Sequence, residues 1–224
     1  MPYQNRVNPL GQIIATPARG TLMGNRGCLH GAGDRPLRQY QSRRWIICVM
    51  DFKGRRRAPM PPGQYTSLFF LDEATALAAG HRPCAECQRE RFGSFRAHWA
   101  AANAERIGGA AAPVDVIDAT LHRERMSDHR YQRDKHKLTY TTLLGELPDG
   151  VIVLTENGDT PYLVRGDALY PWSFEGYRQP HGRVRTPVRV LTPRSTVRAI
   201  EHGYTPAIHA SAESGKRVGP AGVV

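Results

Sequence analysis

Residues 65–95 read YTSLFFLDEATALAAGHRPCAECQRERFGSF, and this stretch carries the most specific chemistry in the chain. Its apolar run Leu68–Phe70 predicts a short buried strand. Asp72 then stands where a helix N-cap is expected, the alanines after it favour a helix, and Gly80 suits the left-handed residue that ends one. The pattern therefore predicts a strand followed by a two-turn helix over residues 72–79.

Two cysteines follow in the segment RPCAEC. Pro83 suits the first position of a second helix, which we expect to run through Trp99 and to carry Cys84 and Cys87 in its first turn. Two thiols at this spacing face the same side, and a helix N-terminus favours their ionised form. A C-x2-C pair is half of a tetrahedral zinc site. A redox dithiol would normally open a helix in a thioredoxin-like βαβ pattern, which this sequence lacks.

The segment FFLDEATALAAGHRPCAEC resembles the second half of the metal-binding domain of the Ada-type methylphosphotriester DNA-repair proteins. The shared pattern is an aromatic strand, a short helix rich in Ala and Glu, and then G-[aromatic or His]-R-P-C-x-x-C. The resemblance covers residues 65–95 and implies an N-terminal zinc-binding module that contacts DNA. Ada proteins also carry a close cysteine pair further upstream, one member of which accepts a methyl group, and this chain has no such pair.

The remaining zinc ligands have to lie upstream of the C-x2-C pair. Cys48, in the strand-like run WIICVMDF, is the predicted third ligand. For the fourth, Cys28 would complete an all-cysteine site, whereas His30 would give a Cys3His site that zinc accepts equally well. Residues 28 and 30 of one strand point to the same face, so both stay open, with Cys28 slightly ahead. The alternative for Cys28 and Cys48 is a buried free thiol. The predicted cofactor is Zn2+, in a closed site that stabilises the fold.

The chain has 224 residues, a formal net charge of +11 and a pI near 10.0. Such an excess of positive charge predicts binding to a polyanion, and nucleic acid is the commonest polyanion in a cytoplasm. A soluble basic protein without such a partner is the alternative. The cations expected to contact phosphates are Arg26, Lys53, Arg55, Arg56, Arg57, Arg82 and Arg89.

The sequence also bears on location. No stretch reaches the roughly 20 apolar residues of a membrane span, and the N-terminus lacks the apolar core of a signal peptide. The chain has 4 cysteines and no secretory signal, which agrees with reduced thiols. We therefore expect a cytoplasmic protein with no membrane partner. The sequence does not predict an oligomeric state.

The clearest linker is GGAAAP, which begins at Gly108, so we predict two domains over residues 1–108 and 109–224. The second begins with a charged segment that is predicted to be a solvated basic helix. From Leu147 onward, short strands alternate with turns, including an Asn157-Gly158 hairpin signal. The predicted fold class is thus α+β, an N-terminal zinc-binding Ada-like module followed by a small β-rich domain with a disordered tail. Four side chains of that domain are predicted to fill its core rather than to line a pocket: Trp172, Tyr177, Tyr204 and His209.

The predicted function is a zinc-binding, nucleic-acid-binding protein, with DNA favoured over RNA, in repair or processing. The alternative is an enzyme acting on nucleic acid or nucleotides. In one form a zinc-bound thiolate, with Cys48 the first choice, accepts a methyl group from a methylated phosphate. In the other form the enzyme is a hydrolase. Its candidate catalytic residues are His30, Asp118, His122 and His209. No P-loop, GxGxxG, GxSxG or HExxH motif is present to name a reaction.

Overall fold

The computed structural model has a mixed α+β fold with two β-sheets and helices α1–α5. It describes residues 1–31, 35–54, 58–107, 112–127, 136–156, 158–183 and 185–213. The strands of the first half are β1 Gln4–Val7, β2 Ile13–Ala15, β3 Leu22–Asn25, β4 Ile46–Cys48, β5 Leu68–Phe70 and β6 Arg82–Pro83. The helices are α1 Glu73–Ala78, α2 Arg89–Ala102, α3 Ala104–Ile107, α4 Val114–Arg125 and α5 Arg194–Glu201. The strands of the second half are β7 Tyr140–Leu143, β8 Ile152–Thr155, β9 Pro161–Arg165, β10 Ala168–Ser173, β11 Gly176–Tyr177, β12 His181–Gly182 and β13 Pro187–Val190.

The first sheet has the strand order β2-β1-β5-β3-β4-β6. Strand β3 pairs antiparallel with both β5 and β4, whereas β4 pairs parallel with β6. The parallel pair aligns Ile46 with Arg82 and Ile47 with Pro83. Because parallel strands end at the same edge, this register places the end of β4 beside the segment that follows β6. Cys48 ends β4 and Cys84 follows β6, so the topology itself brings these two cysteines to one sheet edge.

The second sheet has the order β11-β10-β9-β8-β13-β7, with β12 paired to β10, and its pairings are all antiparallel among the described strands. Strands β8 and β9 form the predicted hairpin, although Asn157 of its turn lies outside the described residues. Residues 108–111 of the predicted linker and residues 214–224 of the predicted tail also lie outside the described residues. A 3-10 turn over Ala210–Ala212 directly precedes that tail.

The two sheets and the helices share a hydrophobic core. One cluster of buried side chains contains Phe70 of the first sheet, Phe95 and Trp99 of α2, and Val153 and Val188 of the second sheet. Helix α2 also contacts α5. The aromatic side chains at positions 172, 177 and 204 are buried, as predicted, while the one at 209 is half-buried. Residues on both sides of the predicted domain boundary therefore pack into common apolar cores.

Helix α1 confirms the local prediction. The Asp72 carboxylate accepts a hydrogen bond from the Thr75 N–H at 2.8 Å, which caps the helix. Gly80 follows the helix with a φ of 92°. A Cβ atom at this position would lie 2.5 Å from Cδ of Arg125. Glycine is therefore favoured at position 80 both by the left-handed backbone and by the close approach of an arginine side chain.

Helix α2 begins at Arg89 and not at Pro83, so the predicted helix start is wrong. Backbone pairing explains the difference. The Arg82 N–H donates to the Trp45 carbonyl at 3.1 Å, and the Cys84 N–H donates to the Ile47 carbonyl at 2.9 Å. The chain therefore stays extended beside β4 until Cys84, and the C-x2-C segment forms a turn between β6 and α2.

Two other helices differ from the sequence prediction. Helix α4 buries Ile117 and Leu121, so it is packed against the core on one face rather than solvated all round. Residues 128–135 of that charged segment lie outside the described residues. Helix α5 lies where strands and turns were predicted, and it buries Val197 and Ile200, which follow helical spacing. Among the described residues, none of the helices is long and apolar enough to cross a membrane.

Candidate metal centre

Cys48, Cys84 and Cys87 form a compact group whose three sulfur atoms all lie within 4.8 Å of one another. Sulfurs bound to zinc at about 2.3 Å in a tetrahedron lie about 3.8 Å apart. The three thiols could therefore hold a metal ion with small shifts. Cys48 and Cys84 are 9% and 8% exposed, and Cys87 is half-buried. Within the described ranges, no other set of three His, Cys, Asp or Glu side chains meets this spacing.

Backbone hydrogen bonds fix the turn that carries the pair. The Gln88 N–H donates to the Cys84 carbonyl at 3.2 Å and closes the turn. The Gln88 side chain donates from Nε2 to the Ile47 carbonyl at 2.9 Å, which ties the turn to β4. Since Cys48 directly follows Ile47, the same contacts that shape the turn also hold the third cysteine in place.

The sulfur atoms also accept backbone hydrogen bonds. The Glu86 N–H donates to Cys84 Sγ at 3.4 Å, and the backbone N–H groups of Cys87 and Val49 contribute to lowering the pKa values of Cys84 and Cys87, respectively. Donors aimed at sulfur stabilise thiolates, and the thiolate is the form that binds metal. This pattern is suited to a ligand set that carries several negative charges.

The three thiols do not ionise alike. The pKa of Cys84 is lowered to about 5, first because the Cys48 thiol donates a hydrogen bond to it and then because backbone N–H groups do the same. The pKa of Cys48 is raised, mainly because its proton is shared with Cys84 and then because the thiol is buried. Burial is the main cause that raises the pKa of Cys87. In the metal-free protein the negative charge therefore settles first on Cys84.

The two predicted candidates for the fourth ligand lie outside this group. The Cys28 thiol donates to the His30 carbonyl at 3.4 Å. The His30 ring is buried, with Nδ1 at 2.6 Å from Thr66 Oγ1 and Nε2 at 3.2 Å from the Pro61 carbonyl. Neither residue joins the cluster because the residue of β3 that pairs with Cys48 is Met23. Cys28 and His30 come after the end of β3 at Asn25, past the strand that borders the cluster.

A pocket of about 280 Å³ adjoins the three thiols. Its apolar walls include Met23, Met50, Phe52, Tyr65 and Phe69. Glu86 also lines the pocket, but none of the described carboxylates or imidazoles completes the cluster as a fourth ligand. As far as the described residues go, the fourth coordination position of a bound metal would face this pocket or solvent. Three protein ligands plus one exchangeable position is the arrangement of reactive zinc sites, whereas four protein ligands is the structural one.

No protein-family model, curated protein or solved structure matches the chain. The resemblance to Ada-type domains therefore rests on the motif of residues 65–95. The structure itself shows a three-cysteine cluster, and it does not assign the chain to a family.

The cations predicted to contact phosphate fall into three sets. Lys53 and Arg89 are exposed, as expected. Arg26 and Arg82 were predicted at the surface, and the structure corrects this, since they are only 1% and 4% exposed. Arg26 packs over the Trp45 ring and Arg82 pairs with a buried carboxylate, so local partners hold both inside. The third set, Arg55, Arg56 and Arg57, lies outside the described residues.

The residues suggested for a hydrolase do not form one site among the described residues. Asp118 is buried in a bidentate pair with Arg82. His122 contacts the Arg125 guanidinium, and His209 Nδ1 lies 2.8 Å from Ser211 Oγ. His30 has the separate partners described above. These contacts place the four side chains in different local networks.

Proposed function

We propose that the chain is a zinc-binding protein that also binds nucleic acid, with DNA favoured over RNA. The observation that carries the metal part is the cluster of Cys48, Cys84 and Cys87. Three thiolates are a soft donor set, which favours zinc over magnesium or calcium. Zinc bound here would tie the end of β4 to the turn before α2 and so stabilise the first sheet.

The nucleic-acid part is supported by charge. The net charge is +11, and the surface ion pairs in the described part of the chain include one between the exposed side chains of Arg44 and Asp115, at 3.2 Å. Such exposed pairs contribute little and leave the cation free to meet a phosphate. The exposed cations described in the first half are Arg19, Arg35, Arg38, Arg43, Arg44, Lys53 and Arg89.

The metal part is tested by counting zinc in the purified protein. The wild type is expected to hold about one zinc per chain, whereas Cys84→Ser is expected to bind zinc at least about 100-fold more weakly, since it loses one of three thiolates. Elemental analysis gives the stoichiometry, and competition with a chromophoric chelator gives the affinity. Cys28→Ser is the matched control and is expected to keep its zinc. A wild-type protein that takes up no zinc when the ion is added would contradict the proposal.

The nucleic-acid part is tested by the salt dependence of binding to a labelled DNA duplex, followed by fluorescence anisotropy. Affinity is expected to fall as salt rises, and each lost phosphate contact is expected to reduce the slope of log K against log salt by about 0.9. We expect this reduction for Lys53→Gln and for Arg89→Gln. Arg189→Gln, which removes an exposed cation from β13, is the control and should leave the slope unchanged. Binding that is absent at low salt, or equal losses in all three variants, would rule out a surface next to the cysteines.

The alternative in which Cys48 accepts a methyl group draws on the same three thiols. In such a transfer the sulfur–carbon bond forms while the carbon–oxygen bond of a methyl phosphotriester breaks, and the phosphodiester leaves as an anion. The adjoining pocket is the one feature that favours it, because it gives a small apolar group a route to the sulfurs. We rank it second because the chain lacks the close upstream cysteine pair of Ada proteins and because the pKa of Cys48 is raised in the metal-free form.

A further inference from the structure

A second cluster of side chains, separate from the three cysteines, brings positive charge into the interior. The Arg26 Cζ atom lies 3.8 Å from the centroid of the Trp45 ring, and the Arg125 Cζ atom lies 3.9 Å from it. Both guanidinium groups are buried. The partly buried Lys137 donates from Nζ to the Ala78 carbonyl. The positive charges of Arg125 and Arg26 lie close enough to lower the pKa of Lys137.

None of the described carboxylates forms an ion pair with any of these three cations. The ion pairs in the described part of the chain involve other cations. They are Arg44–Asp115, Arg82–Asp118, Arg91–Glu73 and Arg165–Glu213. The nearest acids in the electrostatic environment are Asp118 and Glu124. Asp118 already binds Arg82, and Glu124 accepts hydrogen bonds from the backbone and hydroxyl of Ser195. A buried charge without a counter-charge costs several kcal/mol, so this arrangement calls for an explanation.

Arg26 keeps one donor group unused. Its Nε donates to His81 Nε2 at 3.1 Å, and its Nη1 donates to the Gly11 carbonyl at 3.0 Å. Its Nη2 is buried and has no hydrogen-bond partner in the part of the chain that the structure describes. Buried guanidinium donors are nearly always satisfied in folded proteins. An unsatisfied one beside an open pocket is a donor available to a ligand.

The pKa shifts agree with a missing negative charge. Burial lowers the pKa of Arg26 to about 9. Burial, followed by the charges of Arg125 and Arg26, lowers the pKa of Lys137 to about 7. The pKa of Arg125 is lowered by burial and then by Arg26, and that of His81 is lowered for the same reasons. An anion in this place would reverse all of these shifts.

A pocket of about 610 Å³ opens beside the cluster, which is within the usual size of a ligand site. Arg26 and Lys137 lie in its wall, together with the exposed Arg38. The apolar part of the wall includes Leu10, Ile13, Leu37, Trp45 and Met126. Among the residues that the structure describes, none of those that line it is a carboxylate. The described lining therefore combines cationic groups with an apolar part and with the polar side chains of Gln4, Gln12, Gln39 and His136.

We propose that this pocket binds a terminal phosphate group, a phosphate monoester dianion, through Arg26 Nη2 and Lys137 Nζ. A dianion matches a site with several converging cations better than a single carboxylate does, and phosphate oxygens accept from guanidinium and ammonium groups alike. Arg125 packs on the same indole ring as Arg26 and adds positive charge, although it is not one of the residues that line the pocket. The apolar wall leaves room for the organic body that carries the phosphate. The site is independent of the zinc centre.

The test is isothermal titration of the full chain with inorganic phosphate at constant ionic strength. Saturable binding is expected for the wild type, and Arg26→Gln and Lys137→Gln are each expected to weaken it about tenfold or more, because each removes a charged donor. Arg189→Gln, an equal change of charge on β13, is expected to bind as the wild type does. Lys137 is only partly buried, so Lys137→Gln tests the site even where Arg26→Gln fails to fold.

Two competitors identify the source of the phosphate. Displacement of inorganic phosphate by adenosine 5′-monophosphate supports a small phosphate ester as ligand, and displacement by only a 5′-phosphorylated DNA oligonucleotide supports a nucleic-acid end. Adenosine, which lacks the phosphate, should displace nothing. The proposal is overturned if the wild type shows no saturable phosphate binding, if both variants bind as the wild type does, or if neither phosphate ester competes. Arg26→Gln and Lys137→Gln are expected to bind zinc as the wild type does. The phosphate site and the zinc site are therefore tested independently of each other.

Discussion

Glu73→Ala is expected to lower the free energy of unfolding by about 3 kcal/mol. The Glu73 side chain is 1% exposed. Its carboxylate accepts hydrogen bonds from the Arg91 guanidinium, from the Tyr204 hydroxyl and, at 2.8 Å, from the Ala207 N–H. Truncation leaves the buried Tyr204 hydroxyl without its acceptor, which is the costly part of the change, and it also removes the acceptor of the part-buried Ala207 N–H. Arg91 contributes less because its side chain is 39% exposed and can turn to water.

Urea denaturation followed by circular dichroism measures this loss. Glu175→Ala, which removes an exposed carboxylate between β10 and β11, is the control and is expected to change stability by less than about 0.5 kcal/mol. Tyr204→Phe removes one partner only and is expected to cost about 1 kcal/mol. The prediction would be contradicted if Glu73→Ala had the same free energy of unfolding as Glu175→Ala. The hydrogen bonds from Glu73 to residues 204–207 would then contribute nothing to the stability of the fold.

The neighbouring Asp72 shows why such a network escapes sequence analysis. Capping is a local geometry, so the role of Asp72 at the start of α1 can be predicted from residues 72–80. Its second carboxylate oxygen accepts from the Tyr177 hydroxyl at 2.8 Å and from the His209 N–H at 3.0 Å. These partners lie 105 and 137 residues away. No sequence spacing relates them, so the hydroxyl of Tyr177 could be predicted to be buried but not to be paired.

In the candidate metal centre, too, the local part can be predicted from the sequence and the long-range part cannot. The pairing of Cys84 with Cys87 as two ligands of one metal ion can be predicted from the sequence because the two residues lie three positions apart. Cys48 could be inferred because it ends an apolar strand upstream of this turn. Cys28 or His30 can be predicted as the fourth ligand only because they are the remaining metal-binding side chains upstream. The register between β3 and β4 instead places Met23 beside Cys48. Register between distant strands depends on the whole sheet, which periodicity alone does not fix.

The location of the positively charged side chains is a second feature that the sequence predicts poorly. A strongly basic sequence predicts cations at the surface, since isolated charges are rarely buried. Arg26 and Arg82 depart from this rule for different reasons, the first by packing on Trp45 and the second by pairing with Asp118. Both environments are assembled from separate parts of the chain. Total charge is therefore a poor guide to which arginines can meet a phosphate on the surface.

Asp118→Leu is expected to destabilise the protein by about 3 to 5 kcal/mol, because it leaves the Arg82 charge buried without a partner. The two side chains are 5% and 4% exposed, and both guanidinium donors bond the carboxylate, at 2.9 and 2.8 Å. The double variant Arg82→Met/Asp118→Leu is expected to recover most of this loss, since apolar side chains can replace a buried ion pair. Urea denaturation of the two single variants and the double variant gives the coupling energy.

The exposed pair Arg44–Asp115 supplies the matched control, because its side chains are 67% and 74% exposed at a separation of 3.2 Å. Its coupling energy is expected to be below about 1 kcal/mol. Zinc affinity gives a second readout, since Arg82 lies in β6, two residues before Cys84. Asp118→Leu should weaken zinc binding by disturbing β6, and the double variant should restore it. A double variant that is stable yet binds no zinc would show that the ion pair positions the cysteine turn directly, rather than through the stability of the strand.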